Sequence, residues 1–330
     1  MKRILLIATG GTIASMPTES GLAPGLCSRE LLETVPELRH VSEIDTLQLF
    51  NLDSTNMCHV QWLEIARTIR AKYEDFDGFV ITHGTDTMAY GAAVLSYLIQ
   101  NSPKPVVLTG AQRSISQRDT DARENLLNAF IYAADNGAQG VHIVFDGKVI
   151  EGTRATKTRT KSYAAFSSMD YPEVAVIRGG RVLHYICAQK ADEPVFYDTL
   201  DPRVFVLKLT PGIQPGIFDY LAENYRAVII ESFGVGGIPV YDSEAFSDKI
   251  AMLTEKGVKV IIKTQVAHEG SDMEVYRVGF TIKQRFNLLE AYDMTTEAAF
   301  AKTMWALGNS TDDAGFRALF TQAVGADQVS

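Results

Sequence analysis

Residues 79–88 read FVITHGTDTM, and the parsing of that run decides the fold. Phe79, Val80, Ile81 and Thr82 are apolar or β-branched without alternation, as in a strand covered on both faces. Gly84 then ends the run, polar residues follow, and a helical pattern occupies about residues 86–100. Three further runs repeat the strand character: RILLIAT (3–9), PVVLTG (105–110) and VHIVF (141–145). Helical spacing separates them. Trp62, Ile65, Ile69 and Tyr73 share one face of residues 60–73, and another pattern covers 121–134. This alternation predicts an α/β protein with a doubly wound, mostly parallel, flavodoxin-like sheet.

From Val176 to Asp201 the chain reads as polar and irregular. Alternation resumes with FVLKL (205–209), the helical GIFDYLAEN, AVIIESF (227–233) and VKVIIKT (258–264). A larger N-terminal domain over 1–186, a linker over 187–202 and a smaller C-terminal α/β domain over 203–330 are therefore predicted, which suits 330 residues at about 150 per domain. The tail from Asp312 reads as one last helix.

The formal charge of −9 argues against nucleic acid or an anionic membrane as partner, because both require a basic face. The three cysteines, Cys27, Cys58 and Cys187, form no CxxC pair, so neither a disulfide framework nor a zinc cage is expected. Lys2 and Arg3 precede an apolar run, but Ile4 to Ala8 are only five residues, against roughly 7–15 in a secretory signal core. No segment approaches the roughly 18 apolar residues of a membrane span. A cytoplasmic protein is expected.

In open parallel sheets the ligand crevice lies outside the carboxyl ends of the strands. The first strand delivers Thr9-Gly10-Gly11-Thr12 there, the TLQLFN run delivers Leu52-Asp53-Ser54-Thr55, residues 79–83 deliver Gly84-Thr85-Asp86, and the 105–110 run delivers Thr109-Gly110-Ala111-Gln112. Hydroxyls and glycines dominate, and no GxxxxGK or GxGxxG is present to make a phosphate site. Gly10-Gly11 reads equally as a tight turn or as the pivot of a lid, whose candidate is the Pro- and Gly-bearing segment 16–32, with Ser28 capping a helix. Spacing alone favours Asp86 as a helix N-cap and Thr85 as a turn residue. As a nucleophile a threonine needs a base. His83 is poorly placed because Gly84 interrupts the strand between them, and a lysine held neutral beside the hydroxyl is another candidate base. Arg154, Lys157, Arg159 and Lys161 stand in GTRATKTRTKS (152–162). A solvated loop accounts for Arg159 and Lys161; Lys157, flanked by Thr156 and Thr158, is the candidate.

Together, ATGGTIAS (8–15), NLDSTNM (51–57), DGFVITHGTDTMAY (77–90), GTRATKTR (152–159) and ESFGVGGIP (231–239) resemble the bacterial-type L-asparaginase family, in particular its cytosolic type I branch, over essentially the whole chain. The resemblance implies Thr12 as the nucleophile that forms an acyl-enzyme, Thr85 and Asp86 as the second threonine and its aspartate, and Lys157 as the lysine of that cluster. It implies Ser54, with Asp86, as the grip on the substrate's α-carboxylate and α-amine, with Asp53, Thr55 and Gly84 beside it and Ala111 giving a backbone contact. Tyr276 falls where a neighbouring subunit's residue approaches the nucleophile. No metal or cofactor is implied; the expected partners are L-asparagine or L-aspartate and a second copy of the chain, in a homodimer or homotetramer.

Departures from the family pattern are visible. Many members carry a lid tyrosine, yet no Tyr occurs between Met1 and Tyr73, and Leu22 lies in that neighbourhood. Gly237 replaces the Asn of GVGN, and FNLLEAYDMT lacks the Gly-rich approach to DMT. The leading expectation is hydrolysis of L-asparagine with weaker action on L-glutamine. The rivals are the ammonia-producing component of a tRNA-dependent amidotransferase, against which the acidic balance and an early TGGTIA argue, and a non-catalytic amino-acid sensor.

Overall fold

The computed structural model describes residues 1–18, 21–187, 193–239, 245–275 and 277–329. The chain divides into two compact units, Met1–Asp198 and Thr199–Ser330.

The first unit is built on an eight-stranded sheet among the described residues. Its order is Arg181–His184, Ala175–Arg178, Lys148–Glu151, Gly140–Phe145, Pro105–Thr109, Gly78–Thr82, Arg3–Gly10 and Glu43–Leu52. The last five run parallel and the others antiparallel. In chain order the parallel strands stand 2-1-3-4-5, the flavodoxin-like winding. Their apolar runs are continuous because both faces are covered. Ile4, Leu6, Val80 and Val107 pack with Leu126, Ala129 and Phe130 of the helix Ala122–Ala134. Leu5, Ile7, Phe79 and Ile81 are as deeply buried and point to the other side, since successive strand residues alternate. On that side lie the helices His59–Lys72 and Met88–Leu98. Each such large side chain contributes about 1.5–3 kcal/mol by leaving water.

The second unit holds a four-stranded parallel sheet in the order Val204–Lys208, Ala227–Ser232, Lys259–Thr264 and Leu289–Glu290. Its core joins Leu207, Val228, Ile230 and Ile262 to Phe218, Phe246 and Ile250. A mixed α/β architecture with one large, mostly parallel sheet and a separate smaller one is thus observed.

Several expectations need correction. Residues 176–184 are not irregular: Ala175–Arg178 and Arg181–His184 form a hairpin closed by Gly179 and Gly180, both at positive φ (57° and 72°), the conformation of a two-residue hairpin turn. Ile99 and Gln100 leave the helix to pair with Phe196 and Val195. The early part of segment 16–32 is not a plain loop, since Ser15–Thr18 pairs antiparallel with Gly21–Pro24. Ser28 is the first helical residue rather than the cap, which is Cys27, whose N–H donates to Glu30. The helices Ala245–Glu255, Arg277–Phe286 and Thr296–Gly308 carried no assignment from sequence.

Candidate active site

In a 2-1-3-4-5 sheet the crevice opens where the winding reverses, between the first and third strands in sequence. Those are Arg3–Gly10 and Gly78–Thr82, whose carboxyl ends carry Thr12 and Thr85. A cleft of about 90 Å³ lies there, lined by Gly11, Thr12 and Ser15, by residues 52–54, and by Gly84, Thr85 and Asp86. Its size suits an amino-acid side chain rather than the roughly 300–1,000 Å³ of a site for a larger ligand. A bigger hollow of about 790 Å³ lies near Arg29, Arg39, Glu43 and Asp45. It is a groove of surface charge that contains none of the predicted site residues, so the chemistry belongs to the smaller cleft.

The three loops meet because two residues lack a side chain. A Cβ on Gly11 would stand 2.5 Å from the Gly84 nitrogen, and Gly11 also holds φ at 84°. A Cβ on Gly84 would stand 2.6 Å from Ser54 Oγ and 2.7 Å from Ser54 Cβ. Backbone therefore touches backbone at Gly11, the Ser54 side chain fills the space beside Gly84, and the first turns of the loops are pressed together. Their positions are held by Gly11 N donating to the Leu52 carbonyl at 3.1 Å and the Thr87 hydroxyl donating to the Ser54 carbonyl at 2.8 Å.

Lys157 ends the short strand Ala155–Lys157, paired antiparallel with Phe166–Ser168. Its Nζ donates to Thr85 Oγ1 and to Asp86 Oδ1, both at 2.7 Å. The lysine side chain is only 15% exposed whereas that of Asp86 is 60% exposed, so the carboxylate sits at the rim with a face open to an incoming group. This settles the helix-cap question. The helix begins at Met88 after Thr87, and no side chain caps it. Asp86 is turned to Lys157 instead.

His83 is fully buried, and burial holds its pKa down at about 4 against the raising effect of its hydrogen bond to the Gly84 carbonyl. The ring is neutral at working pH. Since Gly84 O can only accept, Nδ1 carries the proton in that 2.8 Å bond. Such a ring holds the loop rather than taking a proton from Thr85.

The remaining predicted residues fall into groups. Ser54, 2% exposed, and Asp53 line the cleft. The Asp53 carboxylate accepts from the N–H and hydroxyl of Thr55 at 2.9 and 3.0 Å, closing a local turn. Thr55 and Ala111 are not among the cleft's lining residues, and Ala111 is buried. Tyr276 and the Leu22 side chain lie outside the described residues. Gly237 belongs to the second unit, where its N–H and carbonyl both bond Phe233 in a tight turn with Gly234 and Gly236 at positive φ. Sequence reasoning gave no role to Gln112, which accepts from the Thr85 hydroxyl at 3.2 Å.

Comparison with known proteins agrees in extent with this architecture. Residues 3–188 match the family "Asparaginase, N-terminal", and residues 203–320 match "Glutaminase/Asparaginase C-terminal domain". The L-asparaginase of Thermococcus kodakarensis is 36% identical over 312 residues, 94% of either chain. The structure of the thermostable L-asparaginase from that organism superposes with a TM-score of 0.93 at 34% identity, covering 99% of both chains. The L-asparaginase I structure from Vibrio cholerae gives 0.89 at 27% identity, covering 100% of this chain and 99% of that one. A glutamyl-tRNA(Gln) amidotransferase component of Metallosphaera sedula is 32% identical over 325 residues, 94% of this chain and 73% of its own length. With both of its halves matched in order, the chain belongs to the asparaginase family.

Proposed function

We propose that the protein hydrolyses the side-chain amide of L-asparagine to L-aspartate and ammonia, acting less well on L-glutamine. The observation that carries this reading is the hydrogen-bonded Lys157–Thr85–Asp86 cluster beside Thr12 in a cleft at the sheet's switch point. Acyl transfer needs a nucleophile, a proton acceptor and donors for a developing oxyanion. In the proposed sequence Thr12 Oγ attacks the amide carbon, and ammonia leaves as the acyl ester forms. Lys157 then accepts a proton through Thr85 from the water that cleaves the ester and releases aspartate. Backbone N–H groups of the glycine-rich loops stabilise the oxyanion. The exposed carboxylate of Asp86, with Ser54, Asp53, Thr55, Gly84 and the Ala111 backbone, receives the amino-acid end. The chain acts as a homo-oligomer in the cytoplasm, and a partner's Tyr276 completes the site.

The test is a coupled ammonia assay comparing L-asparagine with L-glutamine. Thr12→Ala and Thr85→Val should each remove nearly all ammonia release while the protein stays folded, and near-wild-type turnover in either would sink the threonine assignment. Similarity to the amidotransferase component supports a second reading, ammonia supply to a tRNA-bound substrate. Co-purification of a stable second protein with tRNA would favour it.

A further inference from the structure

Gln112 lies just past the strand Pro105–Thr109 and does not line the cleft. Its Oε1 accepts from the Thr85 hydroxyl at 3.2 Å, and its Nε2 donates to the Ser162 carbonyl at 3.2 Å. A carbonyl only accepts, so the contact with Ser162 fixes which end of the amide faces Thr85. The Thr85 proton is then directed at Gln112, while Lys157 Nζ approaches the same hydroxyl oxygen from another side at 2.7 Å. The resting arrangement is a run of donors that fixes the Thr85 hydroxyl, from lysine to threonine to glutamine to the Ser162 carbonyl.

Gln112 is itself held in place. Its backbone N–H donates to Asp121 Oδ2 at 2.9 Å, and that of Arg113 donates to Asp121 Oδ1 at 3.0 Å. Its loop is fastened to the one that follows Lys157: the Tyr163 hydroxyl donates to the Asp119 carbonyl, and Arg113 lies 5.8 Å over the Tyr163 ring. A side chain fixed this firmly, with one end on the hydroxyl of Thr85 and the other on the lysine's loop, is placed to hold that hydroxyl for proton transfer.

We propose that Gln112 is a positioning residue for the amide hydrolysis, an inference that rests on the function proposed above. It holds the Thr85 oxygen between Lys157 and the cleft while the lysine donates to it, so that when the neutral lysine takes the Thr85 proton the same oxygen is placed to take one from water. Without that acceptor the hydroxyl rotates among Lys157, Asp86 and water.

The test measures kcat and KM for L-asparagine against pH in wild type, Gln112→Leu and Gln112→Glu, with thermal unfolding of each. Gln112→Leu removes both hydrogen bonds at similar volume; kcat should fall about 10- to 100-fold, less than the roughly 10²–10⁴-fold of a lost proton-transfer group because Lys157 and Thr85 remain, with KM within about twofold. Gln112→Glu keeps an acceptor for Thr85 and adds a negative charge. That charge favours the ammonium form of Lys157, so the neutral lysine becomes available only at higher pH. The acid limb of the kcat profile should move up by about one pH unit. Asp86 already faces Lys157, Arg113 with Asp119 and Asp121 belong to the glutamine's loop, and Arg159 and Lys161 follow the lysine. All are common to the three proteins, so the shift reports the new carboxylate. A Leu variant with wild-type kcat, a Glu variant with an unmoved acid limb, or a loss of kcat no greater than the fraction of protein unfolded at the assay temperature would overturn the proposal. If the leucine variant fails to fold, the acid limb of the glutamate variant decides. If wild type itself releases no ammonia from L-asparagine, the functional reading falls and takes the proposal with it, a failure distinct from altered variants of an active enzyme.

Discussion

Alanine at Gly84 would add a methyl group 2.6 Å from Ser54 Oγ, 2.7 Å from Ser54 Cβ and 3.2 Å from the Ser54 nitrogen. Carbon atoms in good contact stand about 3.5–4.0 Å apart. A rotation of Ser54 moves its Oγ but leaves Cβ and the backbone in place, so the 53–55 and 84–87 loops have to part by about 1 Å, judged from that contact distance. Ser54 is 2% exposed, and the open space beside it is the narrow cleft it lines. Overpacking of this kind costs about 1–3 kcal/mol, which for a protein of this size lowers Tm by roughly 2–10 °C. The catalytic effect is larger in proportion. Thr85 and Asp86 follow Gly84 directly and meet Lys157 at 2.7 Å each. A displacement of about 1 Å in such groups lowers turnover by about 100-fold.

Two assays separate these effects: ammonia release from L-asparagine for kcat/KM, and thermal unfolding for Tm. Ser54→Gly on the Gly84→Ala background removes the obstructing atoms. The double variant, compared with Ser54→Gly alone, should recover both Tm and turnover, because residues in contact do not act additively. Gly84→Ala with wild-type kcat/KM would refute the claim that this close approach positions the catalytic groups. A double variant no better than the sum of the singles would refute the steric cause.

Lys157→Met should lower kcat by about 10²–10⁴-fold, the range for a lost proton-transfer group. Its Tm should move little in a thermal scan, because a pair with one partner as exposed as Asp86 contributes only about 0–1 kcal/mol. His83 is depressed to about 4 by burial, so the unfolded chain binds its proton first as pH falls below about 6.5. Its contribution is fully present above that value and is lost progressively towards pH 4; by pH 5 the loss amounts to about 2 kcal/mol. Denaturant unfolding at pH 7 and pH 5 should show that loss in wild type and a smaller one in His83→Asn; equal slopes would contradict the buried neutral ring. Asp121→Ala leaves the N–H groups of Gln112 and Arg113 without their acceptor. It should cost about 2–6 kcal/mol in denaturant unfolding, since each orphaned group costs about 1–3, and should lower kcat more than it raises KM.

The parallel strands of the first unit were legible because burial on both faces leaves an unbroken apolar run, as in residues 79–82. Their order was not, since nothing local says that Glu43–Leu52 lies outside Arg3–Gly10. The hairpin at 175–184 was hidden by Arg178 and Arg181, although Gly179-Gly180 is a turn signal in its own right. Helix caps show the limit most clearly. Asp86 stands one residue before a helix cap and has the right chemistry for it, so local rules favoured a cap. A lysine 71 residues away decided otherwise. Gln112 stood in view at the end of its strand and carried no signal, because its partners Thr85 and Ser162 lie 27 and 50 residues away.

Glycines near the cleft argue the same point from the opposite side. In sequence Gly10, Gly11, Gly84 and Gly110 all read as loop punctuation. In the fold Gly10 and Gly11 are required by positive φ, 105° and 84°, and also by space. Gly84 and Gly110 have no such φ, and only space constrains them: a Cβ on Gly110 would stand 2.4 Å from the His83 carbonyl oxygen. Four loops thus approach closely at these glycines, and the hydroxyls of Thr12, Ser54 and Thr85, beside the contacts of three of the loops, are brought to one cleft. The geometry of the site is therefore specified as much by where side chains are missing as by Thr12, Thr85 and Lys157. A motif search recognises that pattern only as spacing, whereas the contacts show why each glycine resists replacement.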